Sequence, residues 1–200
     1  LSISIPLALK LNIWVDEAST LYNTQHGFFA TFDNVFHTEK QAPLYFLGLS
    51  LLRTLDDSIF FARLVSIICS CLAIKVFWDL AGKFFDENTT ILTTTFFALH
   101  PFLIWISLEI RLYTLTVLFV CLLLKLFYEG YLESRKSSQY LYILTAIIGL
   151  YINYYLGFLL VGGMAILLSL RHWETAKKYF VQMFLIVIGI IPLIWMIKIQ

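Results

Sequence analysis

From Tyr140 to Leu170 the chain runs 31 residues without one charged side chain. As a straight helix this run would extend about 46 Å at 1.5 Å per residue, well beyond the roughly 30 Å hydrocarbon layer of a bilayer. The polar break at Asn153, Tyr154, Tyr155 and Gly157 near its centre therefore predicts two short helices. Other apolar stretches of span length recur along the chain. With 60% apolar residues, 14% charged ones and a mean hydropathy of +0.83, they point to an integral membrane protein. Tyr and Trp are abundant, as suits rings with one polar end at a membrane interface.

The remaining segments read as follows. Leu1 to Val15 is the exit half of a first helix. Residues 16–42 form a polar loop with short surface helices and carry Asp16, Glu17, His26, Asp33, His37, Glu39 and Lys40. Pro43 to Leu55 is apolar but about 13 residues long, short for a crossing. Ile59 to Gly82 is long enough to cross, and its charges at Arg63, Lys75 and Asp79 are expected to snorkel or face inward. Thr89 to Ile106 offers 18 uncharged residues, Leu112 to Tyr128 the next span, and Tyr179 to Ile197 the last. The expected fold is an all-α, polytopic transmembrane bundle whose first loop is extracytoplasmic. No repeat or linker divides the chain, so residues 1–200 read as a single membrane domain. It lacks an initiator Met, begins inside one apolar stretch and stops just after another, so it reads as a fragment truncated at both ends.

Short loops rich in Lys and Arg stay cytoplasmic, which puts Arg171, Lys177 and Lys178 inside. If 140–170 is a hairpin, Lys125, Arg135 and Lys136 lie inside as well, and Glu109 and Arg111 lie outside. Asp16 joins them outside if Pro43 to Leu55 does not cross, the reading its length favours. A net charge of +1 with no basic stripe argues against a nucleic-acid partner. Cys69, Cys71 and Cys121 lie within apolar runs as small buried hydrophobes. The histidines His26, His37, His100 and His172 do not repeat at ligand spacing, so no metal site is assigned. A divalent metal stays open, since one acidic pair is too little to define a site.

Asp16 and Glu17 are the first place to look for chemistry, because carboxylates near hydrocarbon lose hydration and are costly to keep. The same pair also suits the first turn of a helix, where the macrodipole favours acids. From Trp14-Val15-Asp16-Glu17-Ala18 the order of motifs continues through Gln41-Ala42-Pro43-Leu44-Tyr45-Phe46-Leu47 and through Ser58 to Arg63-Leu64. Ala98-Leu99-His100-Pro101 then leads into Ser107-Leu108-Glu109-Ile110-Arg111-Leu112-Tyr113. This succession resembles the GT-C membrane glycosyltransferases, in particular the protein O-mannosyltransferase and lipid A aminoarabinose transferase group. The chain departs from that group in carrying Gln41-Ala42 ahead of Pro43 and Asn153 between Ile152 and Tyr154.

The resemblance implies sugar transfer from a polyprenyl-phosphate-linked donor to a glycan, lipid or protein acceptor, on the extracytoplasmic side of a multi-pass membrane protein. It places the catalytic acids at Asp16 and Glu17, with Asp16 the base. A hydroxyl is a poor nucleophile at neutral pH and needs a carboxylate to take its proton. The leaving lipid phosphate needs positive charge or N–H donors, for which Arg111 stands first, then Lys40 and Tyr113. His37, Tyr45, Tyr154 and Tyr155 are candidates for the substrate cavity. Two other classes compete: a transporter, which also uses broken helices and intramembrane charge, and a non-catalytic membrane assembly subunit.

Overall fold

The computed structural model describes residues 4–39 and 41–199, and every regular element among them is helical. In chain order these are α1 (Ser4–Lys10), α2 (Val15–Thr24), α3 (Phe28–Asn34), α4 (Leu44–Arg53), α5 (Ile59–Ala81) and α6 (Glu87–Ala98). They continue as α7 (Pro101–Ile106), α8 (Tyr113–Phe127), α9 (Lys136–Ile152), α10 (Gly157–Ser169), α11 (Trp173–Gly189) and α12 (Ile191–Ile199). Single π-helical turns follow α3 at Val35–Glu39 and α8 at Tyr128–Leu132.

Among the described residues two helices are long and apolar enough to cross a membrane, Ile59–Ala81 and Tyr113–Leu132. They lie side by side and run in the same direction. Ser66 of α5 bonds to the Glu109 carbonyl just before α8, while Asp79 near the end of α5 receives Lys125 of α8 at 2.9 Å. The chain returns between them through α6 and α7. Ser58 caps α5 by accepting from the Phe61 N–H at 3.2 Å, and Asp86 caps α6 by accepting from the Asn88 N–H at 3.1 Å. Large apolar side chains stand exposed at Ile68 and Leu72 of α5, Leu124 of α8 and Leu141 and Leu144 of α9, a surface suited to lipid.

The break expected within 140–170 is present. Asn153 leaves the helix with an extended backbone, its Oδ1 accepts from the Tyr155 N–H at 3.0 Å, and its Nδ2 donates to Thr116 of α8 at 3.2 Å. A single turn of 3-10 helix, Tyr154–Leu156, then leads into α10. Two other expected spans are corrected. The run Thr89 to Ile106 is not one helix: α6 ends at Ala98 and α7 restarts at Pro101, because proline lacks an N–H and crowds the carbonyl four residues back. His100 caps that restart, its Nδ1 accepting from the Phe102 N–H. The last span begins at Trp173, not Tyr179, and is interrupted between Gly189 and Ile191, one residue ahead of Pro192. The first helix is shorter than expected as well. Residues 11–14 carry no regular structure, and Val15 starts a new helix.

The apolar core beneath α8, α9 and α11 centres on Phe127, Tyr131, Tyr142 and Tyr179. Tyr142 and Tyr179 share a hydroxyl hydrogen bond of 2.8 Å, and Tyr179 also donates to the Leu160 carbonyl at 2.9 Å. Gly163 permits this approach, since a Cβ there would stand 2.8 Å from the Tyr179 hydroxyl.

Candidate active site

Helix α2 is unusual in turning polar residues inward: Glu17, Thr20 and Thr24, spaced as one helical face, are each no more than 1% exposed. Each meets an arginine from a different part of the chain. Arg53 at the end of α4 donates to the Thr24 hydroxyl at 2.7 Å and to the Leu21 carbonyl at 2.6 Å, and pairs with Asp57. Arg63 of α5 grips the Glu17 carboxylate. Arg111, ahead of α8, donates to the Thr20 hydroxyl at 3.1 Å and to the Asp16 carbonyl at 3.4 Å. Three guanidinium groups thus hold α2 against the bundle.

The Glu17–Arg63 pair is the tightest of these. A guanidinium has five N–H donors, and those of Arg63 go to both Glu17 oxygens (3.3 and 3.1 Å) and to the carbonyls of Ala8, Leu11 and Asn12 (2.8–3.0 Å). Glu17 in turn accepts from the backbone N–H groups of Trp14 at 3.1 Å and Ile110 at 3.0 Å. Both side chains are about 1–2% exposed. Removal from water is costly for an ion unless its charge and hydrogen bonds are all answered, and here they are.

Asp16 is the next residue on the same turn, and neighbours on a helix point about 100° apart. Its carboxylate therefore faces outward, with the side chain 71% exposed and one oxygen 4.0 Å from Arg111 Nη2. It stands at a cavity of about 500 Å³ lined by Trp14, Asp16, Glu17, Trp105, Glu109 and Tyr113, together with Val15, Phe102 and Ile106. That size lies within the range of small-molecule sites, about 300–1,000 Å³. Burial, followed by repulsion from Glu17, pushes the Glu109 carboxyl above its ordinary value, with Asp16 adding to the shift and Arg111 opposing it. A second cavity of about 310 Å³ is lined by Gln41, Ala42, Leu112, Ile152, Asn153, Tyr154 and Tyr155, and shares Tyr113 with the first.

Over residues 40–195 the chain matches the family model described as dolichyl-phosphate-mannose-protein mannosyltransferase, more than three quarters of its length. The chain belongs to this family. The resemblance read from the order of its motifs is thereby borne out at the level of a GT-C-type membrane glycosyltransferase. No curated protein and no solved structure matches it. The family match takes in Arg111, Tyr113, Tyr154 and Tyr155 and begins beyond Asp16 and Glu17, so any role for the acidic pair rests on the geometry above.

In this mannosyltransferase-family chain the site residues expected from sequence separate into groups. Asp16, Glu17 and Tyr113 line the first cavity, Arg111 lies directly behind Asp16, and Tyr154 and Tyr155 line the second cavity with Tyr113. Tyr45 lines neither: it is packed with Val35, Phe46, Leu49 and Ile110, 6% exposed. His37 stands exposed beside Asp33, 3.3 Å from its carboxylate, away from both cavities. Lys40 lies outside the described residues. Among the described residues no three His, Cys, Asp or Glu side chains converge as a metal site would require. Sequence reasoning missed Glu109 as a cavity residue and the aromatic wall of Trp14, Phe102 and Trp105. The spacing of Phe102, Trp105 and Glu109 at three and four residues was the available signal.

Proposed function

We propose that this chain transfers a glycosyl unit from a polyprenyl-phosphate-linked donor to a hydroxyl of a glycan, lipid or protein acceptor, by one inverting displacement. The observation that carries the reading is the division of labour in the acidic pair. Glu17 is fully engaged in holding α2, while its neighbour Asp16 opens onto a cavity in a chain of a mannosyltransferase family. Asp16 is the base: the acceptor oxygen bonds to the anomeric carbon as the bond from that carbon to the lipid phosphate breaks. The hydroxyl proton passes to the Asp16 carboxylate, and the phosphate leaves with the electron pair. Such general-base assistance contributes roughly 10²–10⁴-fold.

Glu17 takes a positioning role, because its oxygens are already occupied by Arg63 and two backbone N–H groups. Tyr113 stands between the two cavities and offers its hydroxyl to the donor phosphate, while Arg111 adds positive potential from behind Asp16. The second cavity, with Tyr154 and Tyr155, would take the lipid-phosphate side of the donor, and Lys40, next to Gln41 in sequence, is a further candidate for its charge.

The site is proposed to face the extracytoplasmic side of a multi-pass bundle. Asp16 and Arg111 approach to 4.0 Å, so the chain between them crosses a membrane an even number of times. Helix α5 supplies one crossing and α6–α7 the return. Helix α4, ten residues or about 15 Å long, is too short to add a third. Reconstitution in vesicles with a synthetic polyprenyl-phosphate hexose tests the mechanism. Asp16→Asn is expected to abolish transfer while the donor still binds, and wild-type turnover in that variant would overturn the assignment of the base.

A further inference from the structure

Beside Asp16 and the anchored Glu17, the cavity is lined by a third acidic residue, Glu109, that the proton transfer does not use. Glu109 sits on the short turn between α7 and α8, and that turn is clamped on both sides. The Glu109 carbonyl accepts from the Ser66 hydroxyl at 2.6 Å, and the N–H of the following residue, Ile110, donates to Glu17 at 3.0 Å. The backbone of Glu109 is thereby tied to α5 and, through Glu17, to the helix that carries Asp16. Its side chain lines the cavity together with the rings of Trp14, Phe102, Trp105 and Tyr113.

This arrangement has the two elements that a sugar needs. Aromatic rings present apolar faces on which the C–H face of a pyranose can stack. A carboxylate carried on a clamped backbone has only acceptor oxygens, matched to hydroxyl donors. Glu17, at the same cavity, is answered by Arg63, so Asp16 and Glu109 against Arg111 leave the space with an excess of negative charge. A ligand group of the same sign brought into this space meets repulsion and loses its hydration, and such built-in rejection is a common source of specificity.

We propose that Glu109 is a specificity-determining residue for the transferred sugar, accepting hydroxyl hydrogen bonds from an uncharged glycosyl unit stacked on the aromatic wall and rejecting one that carries a carboxylate. The inference rests on the reading of this cavity as the transfer site. It is independent of which residue acts as base.

The test is equilibrium binding to the full chain in lipid nanodiscs of two synthetic donors, a short polyprenyl-phosphate hexose and the matching hexuronic acid of the same anomeric configuration. The Asp16→Asn variant, measured alongside, separates binding from turnover. The wild type is expected to bind the hexose donor at least tenfold more tightly than the hexuronate. Glu109→Gln is expected to cut that preference by tenfold or more, and Glu109→Asp, which keeps the charge but shortens the reach, to weaken the hexose while still rejecting the hexuronate. In turnover assays the Glu109→Gln effect should lie in KM and leave kcat nearly unchanged. An unchanged preference in folded Glu109→Gln overturns the proposal. If that variant does not fold, equal binding of the two donors by the wild type overturns it instead. Retained turnover in Asp16→Asn would remove the base assignment and leave the donor preference standing.

Discussion

The two ends of the α5–α8 pair treat charge in opposite ways. At the end where both helices begin, Arg63, Glu17 and Arg111 are buried and meet carboxylates, hydroxyls, backbone carbonyls and backbone N–H groups. At the other end Lys75, Asp79 and Lys125 form a half-exposed chain, and Lys83 reaches Glu129 and Glu133. Screened pairs of the second kind are worth about 0–1 kcal/mol each. A buried pair is different in kind: its net contribution is small, but the loss of one partner strands a charge. One end therefore tolerates change, and the other sets a geometry.

The largest effect that could break this contrast is expected from Arg63→Ala. Leaving Glu17 buried and unpaired should cost about 3–5 kcal/mol, read as a drop in unfolding midpoint or loss of folded protein in mild detergent. A shift no larger than that of Lys125→Ala would erase the distinction between the two ends. Next comes Asp16→Asn, which should lower turnover roughly 10²–10⁴-fold with the unfolding midpoint unmoved, separating the exposed acid from the anchored one. In the aromatic core around Phe127 and Tyr131, Tyr179→Phe leaves the Tyr142 hydroxyl and the Leu160 carbonyl short of a partner. An unpaired buried polar group costs about 1–3 kcal/mol, and chemical denaturation would measure it.

The smaller effects sharpen the picture. Because the folded protein holds the Glu109 carboxyl above its ordinary value, it binds more protons there than the unfolded chain does. Stability then declines as pH rises through the window from the unfolded carboxyl value upward to the folded one. Glu109→Gln removes this decline, so wild type and variant should diverge slightly in stability as pH rises from the acidic toward the neutral range, the effect being kept small by solvent screening of a partly exposed group. Thermal melts across that range would reveal it. Smallest of all is Lys75→Ala at the tolerant end, expected within about 0.5 kcal/mol of wild type.

Much of this was legible in local sequence. The span over Ile59 to Gly82, the break at Asn153 and the shortness of Pro43 to Leu55 follow from run length, charge and helix rise, and the structure matches each. In the uncharged run Thr89 to Ile106 a proline overrules hydropathy, and the same local rule, applied to Pro101 and Pro192, marks both interruptions. Asp16, Arg111 and Tyr113 could be singled out because the order of motifs around them resembles a family to which the chain belongs.

Sequence alone determined the solvent of this protein, its helical make-up and the presence of an acidic pair with chemical potential, because hydropathy, helix rise and proline geometry act over a few residues. Tertiary structure decided which acid is anchored and which opens onto the cavity. Glu17 meets Arg63 across 46 positions and the Ile110 N–H across 93, and Tyr113 comes to stand between two cavities. Contacts so distant in sequence leave no periodic trace; they exist only once packed helices exclude water and the buried ions must find one another.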